Sequence, residues 1–143
     1  MNETLILAGG CFWCTEAIFQ RLNGVKSVVS GYAGGTKPNP TYEEVSTGTT
    51  GYAECVQIEY DPEIISKEKI LEVFQATLGG PDIGDQYRTE IFPPDTKFYP
   101  AENYHQNFYN NNKDYPYCRV IIDPKIKKLL AEFPTDLKSQ SKD

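Results

Sequence analysis

The order of apolar segments predicts an α+β fold, a two-layer sandwich in which flanking helices cover a mixed, ferredoxin-like (split βαβ) sheet. Three observations carry that expectation. Residues 4–8, 25–31 and 53–60 are short β-branched or alternating runs, closed by Gly-Gly, Gly or Asp-Pro as strands often are. Residues 12–22 and 66–78 instead repeat their apolar positions at helical spacing. Through residue 92 the segments alternate as β-α-β-β-α-β, the order of a split βαβ unit. The chain has 143 residues, 39% of them hydrophobic, which suits a single domain over 1–143 with a real core.

Each element has its own signal. Thr4 to Ala8 reads as a buried strand ended by Gly9 and Gly10. The helix over 12–22 turns Ala17, Ile18 and Leu22 inward, and Asn23-Gly24 stops it. Val25 to Gly31 is a valine-rich strand, followed by a Gly/Pro loop at 32–41 of the kind that often carries function. Tyr42 to Thr47 makes one helical turn, and Ala53 to Tyr60 alternates until Asp61-Pro62. Ser66 is an N-cap type for a helix bearing Ile70, Leu71, Phe74 and Leu78. Arg88 to Phe92 and Arg119 to Ile122 read as further strands. Asp123-Pro124 opens a last helix with Ile126, Leu129, Leu130 and Phe133 inward, and residues 135–143 read as a flexible tail.

Composition narrows the function classes. A formal net charge of -6 argues against nucleic acid and against an anionic membrane surface, which both attract basic patches. The charged runs at 67–72 and 125–128 are the solvated faces of amphipathic helices. "LILAGG" is too short for a secretory apolar region, lacks a basic flank, and nothing approaches transmembrane length. The four cysteines are therefore expected in a reducing compartment, the cytoplasm, where paired thiols suggest catalysis or metal binding.

"GGCFWCTEA" at 9–17 holds the chemistry. Two glycines let the chain turn sharply from strand to helix. Cys11 then falls at the helix start, where unpaired N–H groups and the positive dipole end favour a thiolate. Cys14 lies close enough to form a C-x-x-C disulfide with it. A metal site would want four ligands, commonly two close pairs, whereas Cys55 and Cys118 stand alone and His105 is the only histidine. Alternation puts Glu54 on the apolar strand face with Val56, Ile58 and Tyr60, and Cys55 on the opposite one. Glu54 is thus either a strand-end charge reaching solvent or a half-buried acid that keeps its proton; the pattern leaves both open. Tyr42 and Tyr87 offer hydroxyl donors from loop-like sequence.

These stretches resemble the A-type peptide methionine sulfoxide reductases. "GCFWCTEA" is similar to that family's catalytic motif, and "GVKSVVSGYAGG", "NPTYEEVSTGTTGYAE", "GDQYR", "FYPAENYHQNFY" and "PYCRVIIDPK" follow in family order. The resemblance implies that Cys11 attacks the sulfoxide sulfur, that Phe12 and Trp13 receive the methyl group, and that Glu54 protonates the oxygen. It further implies that Tyr42 and Tyr87 hold that oxygen and that Asp82 lies beside the pocket. Cys118 and Cys14 are both candidates for the resolving thiol. No metal or organic cofactor is implied; the reductant would be thioredoxin, acting on a monomer that repairs methionine-S-sulfoxide, free or in oxidised peptides and proteins. Three departures stand out: Cys14 where the family usually has a small residue such as glycine, Tyr52 where it commonly has histidine, and a segment at 78–98 shorter than the family's. The alternative is a thioredoxin-like oxidoreductase using Cys11 and Cys14, but it wants a βα unit before the motif and leaves Phe12, Trp13 and Glu54 without a role.

Overall fold

The computed structural model describes residues 2–9, 12–35, 38–48, 50–78, 90–93 and 95–138. In chain order β1 (Glu3–Ala8) leads to α1 (Phe12–Phe19), β2 (Val25–Ala33), the short helix α2 (Tyr42–Ser46) and β3 (Ala53–Tyr60). Then come α3 (Lys67–Leu78), β4 (Glu90–Phe92) and β5 (Phe98–Pro100). A 3-10 turn (Asn103–His105), α4 (Phe108–Asn111), a π-helical segment (Cys118–Ile122), α5 (Asp123–Glu132) and a second 3-10 turn (Pro134–Asp136) follow.

The strands form one sheet in the order β4-β1-β3-β2-β5. Its first four positions are those of a ferredoxin-like unit, but the sheet is not mixed: every pairing among the described strands is antiparallel. The reason is topological. The helical crossover from β1 to β2 leaves those two parallel strands one position apart, and β3 fills the gap antiparallel to both.

Period-2 alternation divides the side chains cleanly. Leu5, Leu7, Val56, Ile58 and Tyr60 point into the core beneath the helices, while Ile6, Ala8, Ala53, Cys55 and Phe92 share the other face. Burying a leucine or isoleucine fully is worth about 1.5–3 kcal/mol, so this double lining holds the sheet's register firmly. α1 lies over β2 and β3 and against α3, α4 and α5, with Ala17 and Ile18 in the core; the helix expected to reach Leu22 ends at Phe19, and Leu22 is buried in the turn beyond it. Gly9, at the junction of β1 and α1, is there because of close approach: a Cβ would sit 2.5 Å from the Phe74 ring of α3.

Local caps follow the sequence. Thr41 and Glu44 form a capping box on α2, with Thr41 Oγ1 accepting from Glu44 N at 3.2 Å and Glu44 Oε1 from Thr41 N at 2.9 Å. Ser66 Oγ accepts from Lys69 N at the start of α3.

Three further expectations need correction, and one strand was not foreseen. The strand expected at Arg119 to Ile122 is π-helical: Cys118 and Ile122, four apart, are buried, while Val120 and Ile121 between them are exposed. β-branched residues favour strands only where a sheet can receive them. Leu130 points outward, although Ile126, Leu129 and Phe133 are buried as expected. β5 was not legible, being a three-residue edge strand that ends on proline. The start of the expected tail is held in place: Leu137 bridges Leu22, Asn23 N donates to Asp136 O, and Lys138 N to Arg21 O. Residues 139–143 lie outside the described residues, as do positions 88 and 89 of the strand expected to begin at Arg88.

Candidate active site

Three expected site residues, Cys11, Asp82 and Tyr87, lie outside the described residues. The others converge where α1 begins. Glu54 is buried in β3, the central strand, and its Oε1 accepts from Phe12 N at 3.1 Å. That nitrogen belongs to the peptide bond joining Cys11 to Phe12. Glu54 is therefore buried and does not reach solvent as a strand-end charge would. Directly across from it on β2 is Tyr32, also buried.

Phe12 and Trp13 face an aromatic cluster. The Phe12 ring is 5.7 Å from Tyr32, 5.1 Å from His105 and 6.5 Å from Tyr42. Trp13 stacks flat on Phe108, with ring centroids 3.7 Å apart, and meets Tyr117 edge-on. Its indole Nε1 donates to His105 Nδ1 at 3.0 Å. An accepting Nδ1 requires the neutral ring to carry its proton on Nε2, which is buried and has no hydrogen-bond partner among the described residues. Burial also lowers the His105 pKa, which nearby Glu102 opposes, so the neutral form is favoured.

Residues 101–108 hold this cluster in place, and sequence reasoning missed most of them. Glu102 is the pivot: Oε1 accepts from the Tyr32 hydroxyl and Oε2 from Tyr42 N, both at 2.9 Å. Burial works against its charge, but those bonds outweigh it and hold the carboxyl below its ordinary range. Burial and the Glu102 carboxylate together raise the Tyr32 phenol. Gln106 accepts from Ser30 N and donates to Ser30 O and Ala101 O, so the segment is sewn to β2. The quoted stretch "FYPAENYHQNFY" was the available signal, since it concentrates polar residues among aromatics without periodicity.

The remaining thiols divide by face. Cys14 is buried on α1 with Sγ 3.6 Å from the Tyr117 hydroxyl. Cys118 follows Tyr117 and is buried; burial pushes its thiol pKa up, aided by Asp123 and by Cys14. The two candidate resolving thiols thus sit close enough to influence each other. Cys55 lies on the opposite sheet face, its thiol directed at Gly31 O. Among the described residues no group of three or more His, Cys, Asp or Glu side chains is placed to hold a metal ion, and no helix is long and apolar enough to cross a membrane.

Known proteins match this chain closely. The family model described as peptide methionine sulfoxide reductase matches residues 3–97 and 93–137. The peptide methionine sulfoxide reductase MsrA of Sulfolobus acidocaldarius is 43% identical over 92% of this chain and 96% of its own length. That of Thermus thermophilus is 41% identical over 96% and 98%. Among solved structures, reduced Mxr1 from Saccharomyces cerevisiae superposes with a TM-score of 0.72 at 27% identity, covering 82% of this chain and 89% of that one. Methionine sulfoxide reductase A of Corynebacterium diphtheriae gives 0.68 at 28%, covering 78% and 76%. Fold and relatives together define an α+β oxidoreductase. The chain belongs to the peptide methionine sulfoxide reductase family, of the A type, and the thioredoxin-like alternative is not favoured. Its alignment with the Sulfolobus relative runs to 169 positions, more than the 143 residues present here, so that relative carries residues with no counterpart in this chain.

Proposed function

We propose that this chain, acting as a single-domain monomer in the cytoplasm, reduces methionine-S-sulfoxide, free or in oxidised peptides and proteins, by thiol chemistry at Cys11. The observation that carries this reading is the bond from Phe12 N to Glu54 Oε1, which brings a buried carboxyl to the peptide that follows the nucleophile. A sulfoxide oxygen leaves poorly unless it is protonated. Glu54 supplies that proton while the Cys11 thiolate attacks sulfur, and the net step moves oxygen from methionine sulfur to cysteine sulfur. Methionine departs and Cys11 becomes a sulfenic acid. Phe12 and Trp13 form the apolar wall for the substrate methyl group. Tyr42 offers its hydroxyl to hold the sulfoxide oxygen, the role that the family resemblance gives to Tyr87 as well, with Asp82 as an acidic residue close to the same pocket.

A second thiol then condenses with the sulfenic acid, releasing water and forming a disulfide. Cys118 or Cys14 takes this role, and the shared burial of both supports either. Thioredoxin, an external dithiol, restores the thiols by exchange, so no prosthetic cofactor takes part.

The test is stoichiometric. Reduced enzyme mixed with a methionine-S-sulfoxide peptide, with no reductant present, is expected to release one or two equivalents of methionine per chain. A Cys11→Ser variant is expected to release none. No methionine from the wild-type chain overturns the reading.

A further inference from the structure

We propose that Glu16 is a positioning residue for the aromatic wall: its buried carboxyl holds the Asn107 turn, and through that turn sets Phe108 and His105 against Trp13. This rests on the proposed function only in taking that wall to receive substrate.

Glu16 sits on α1 three residues after Trp13, and so on the same side of the helix. It is 2% exposed. A buried acid is costly unless hydrogen bonds compensate it. Here Oε2 accepts from Asn107 N at 2.8 Å. Asn107 has φ 57°, in the left-handed region that asparagine enters more readily than most residues other than glycine, so it suits a tight turn at this point. The turn reverses the chain between His105, which accepts from the Trp13 indole, and Phe108, which stacks on it. Gln106 ties this segment to β2, and next to it the Asn107 backbone ties it to α1 through Glu16. A side-chain contact with Gln20 also reaches Asn107, but from the exposed side. Ser30 Oγ is buried near the same carboxyl without a hydrogen bond of normal geometry.

Glu16 is thus bonded to the Asn107 turn, and the flat Trp13–Phe108 stack depends on it. Shortening or removing its carboxyl frees the turn, whereas glutamine keeps an acceptor oxygen at the same reach.

Trp13 is the only tryptophan in the chain, so its fluorescence reports on the wall alone. The experiment compares E16A, E16D and E16Q for emission maximum, and for kcat and KM with a methionine-S-sulfoxide peptide. E16A and E16D are expected to shift emission to the red and to raise KM roughly tenfold, with a much smaller fall in kcat, as when an apolar subsite is spoiled. E16Q is expected to return both readings toward wild type. If E16A fails to fold, E16D and E16Q still decide. Wild-type emission and KM in E16D, or E16Q no closer to wild type than E16D, overturns the proposal. The emission measurement needs no turnover, so it stands even if the chain were inactive on sulfoxides, and that failure would count against the reaction alone.

Discussion

Glu54 and Glu16 are both buried carboxyls, one on the central strand and one on the helix above it, and their surroundings give them different duties. Glu54 accepts from Phe12 N in the proposed role of proton donor. Glu54→Gln is expected to slow the single-turnover reductase step by a factor on the order of 10²–10⁴, the usual contribution of a general acid. Rapid-quench measurement of methionine formed checks this, and an unchanged rate removes Glu54 from the chemistry. Glu16 gives a pH signature. Burial pushes its pKa from 4.5 up to about 7, against backbone hydrogen bonds from Asn107 and Phe108. The folded chain thus binds more protons than the unfolded one between those values. Its contribution to stability is full below about 4.5 and is lost as pH rises through about 7. Glutamine does not titrate, so the melting temperature of E16Q relative to wild type is expected to rise between pH 5 and pH 8. A difference that stays flat across that range contradicts the shift.

At the scale of elements, what could be read from sequence tracks how strongly each segment repeats. β1, β2, β3 and α3 were legible because apolar periodicity and clear stops agree with burial, as at Ile58 and Ile70. The placement of Glu54 and Cys55 on opposite faces came from the same alternation. The segment 101–108 was not legible, because its residues are fixed by long-range bonds such as Tyr32 to Glu102 rather than by any local pattern. His105 was weighed only as a metal ligand, yet it serves as the acceptor for Trp13. The π-helical segment was misread because Val120 and Ile121 look like strand residues while sitting exposed on a helical turn. That segment carries Cys118 beneath the surface, beside α1 and Cys14. Cys118→Ser and Cys14→Ser are each expected to spare the first turnover, and the variant lacking the resolving thiol is expected to lose thioredoxin-dependent cycling. Full cycling in both single variants would sink the recycling scheme.

Across the whole molecule, the two-layer arrangement of sheet and flanking helices was anticipated, while the fifth edge strand and the closure of the chain were not. Leu137 returns to Leu22 at the turn after α1, and two backbone hydrogen bonds of 2.8 Å flank that contact. Leu22 is fully buried, and trimming such a leucine to alanine typically costs about 2–5 kcal/mol. Removing residues 134–143 is expected to lower the melting temperature, since it uncovers Leu22 and leaves Asn23 N without its acceptor; an unchanged melt would show the contact to be idle. The contact spans nearly the full separation available in the chain, so it forms late by any route that rewards local pairing first. During synthesis on the ribosome, α1 and the strand after it emerge more than a hundred residues ahead of Leu137. The nascent chain must therefore carry α1 and β2 with Leu22 still uncovered on that side until Leu137 has been made, an apolar spot left open to solvent through most of synthesis.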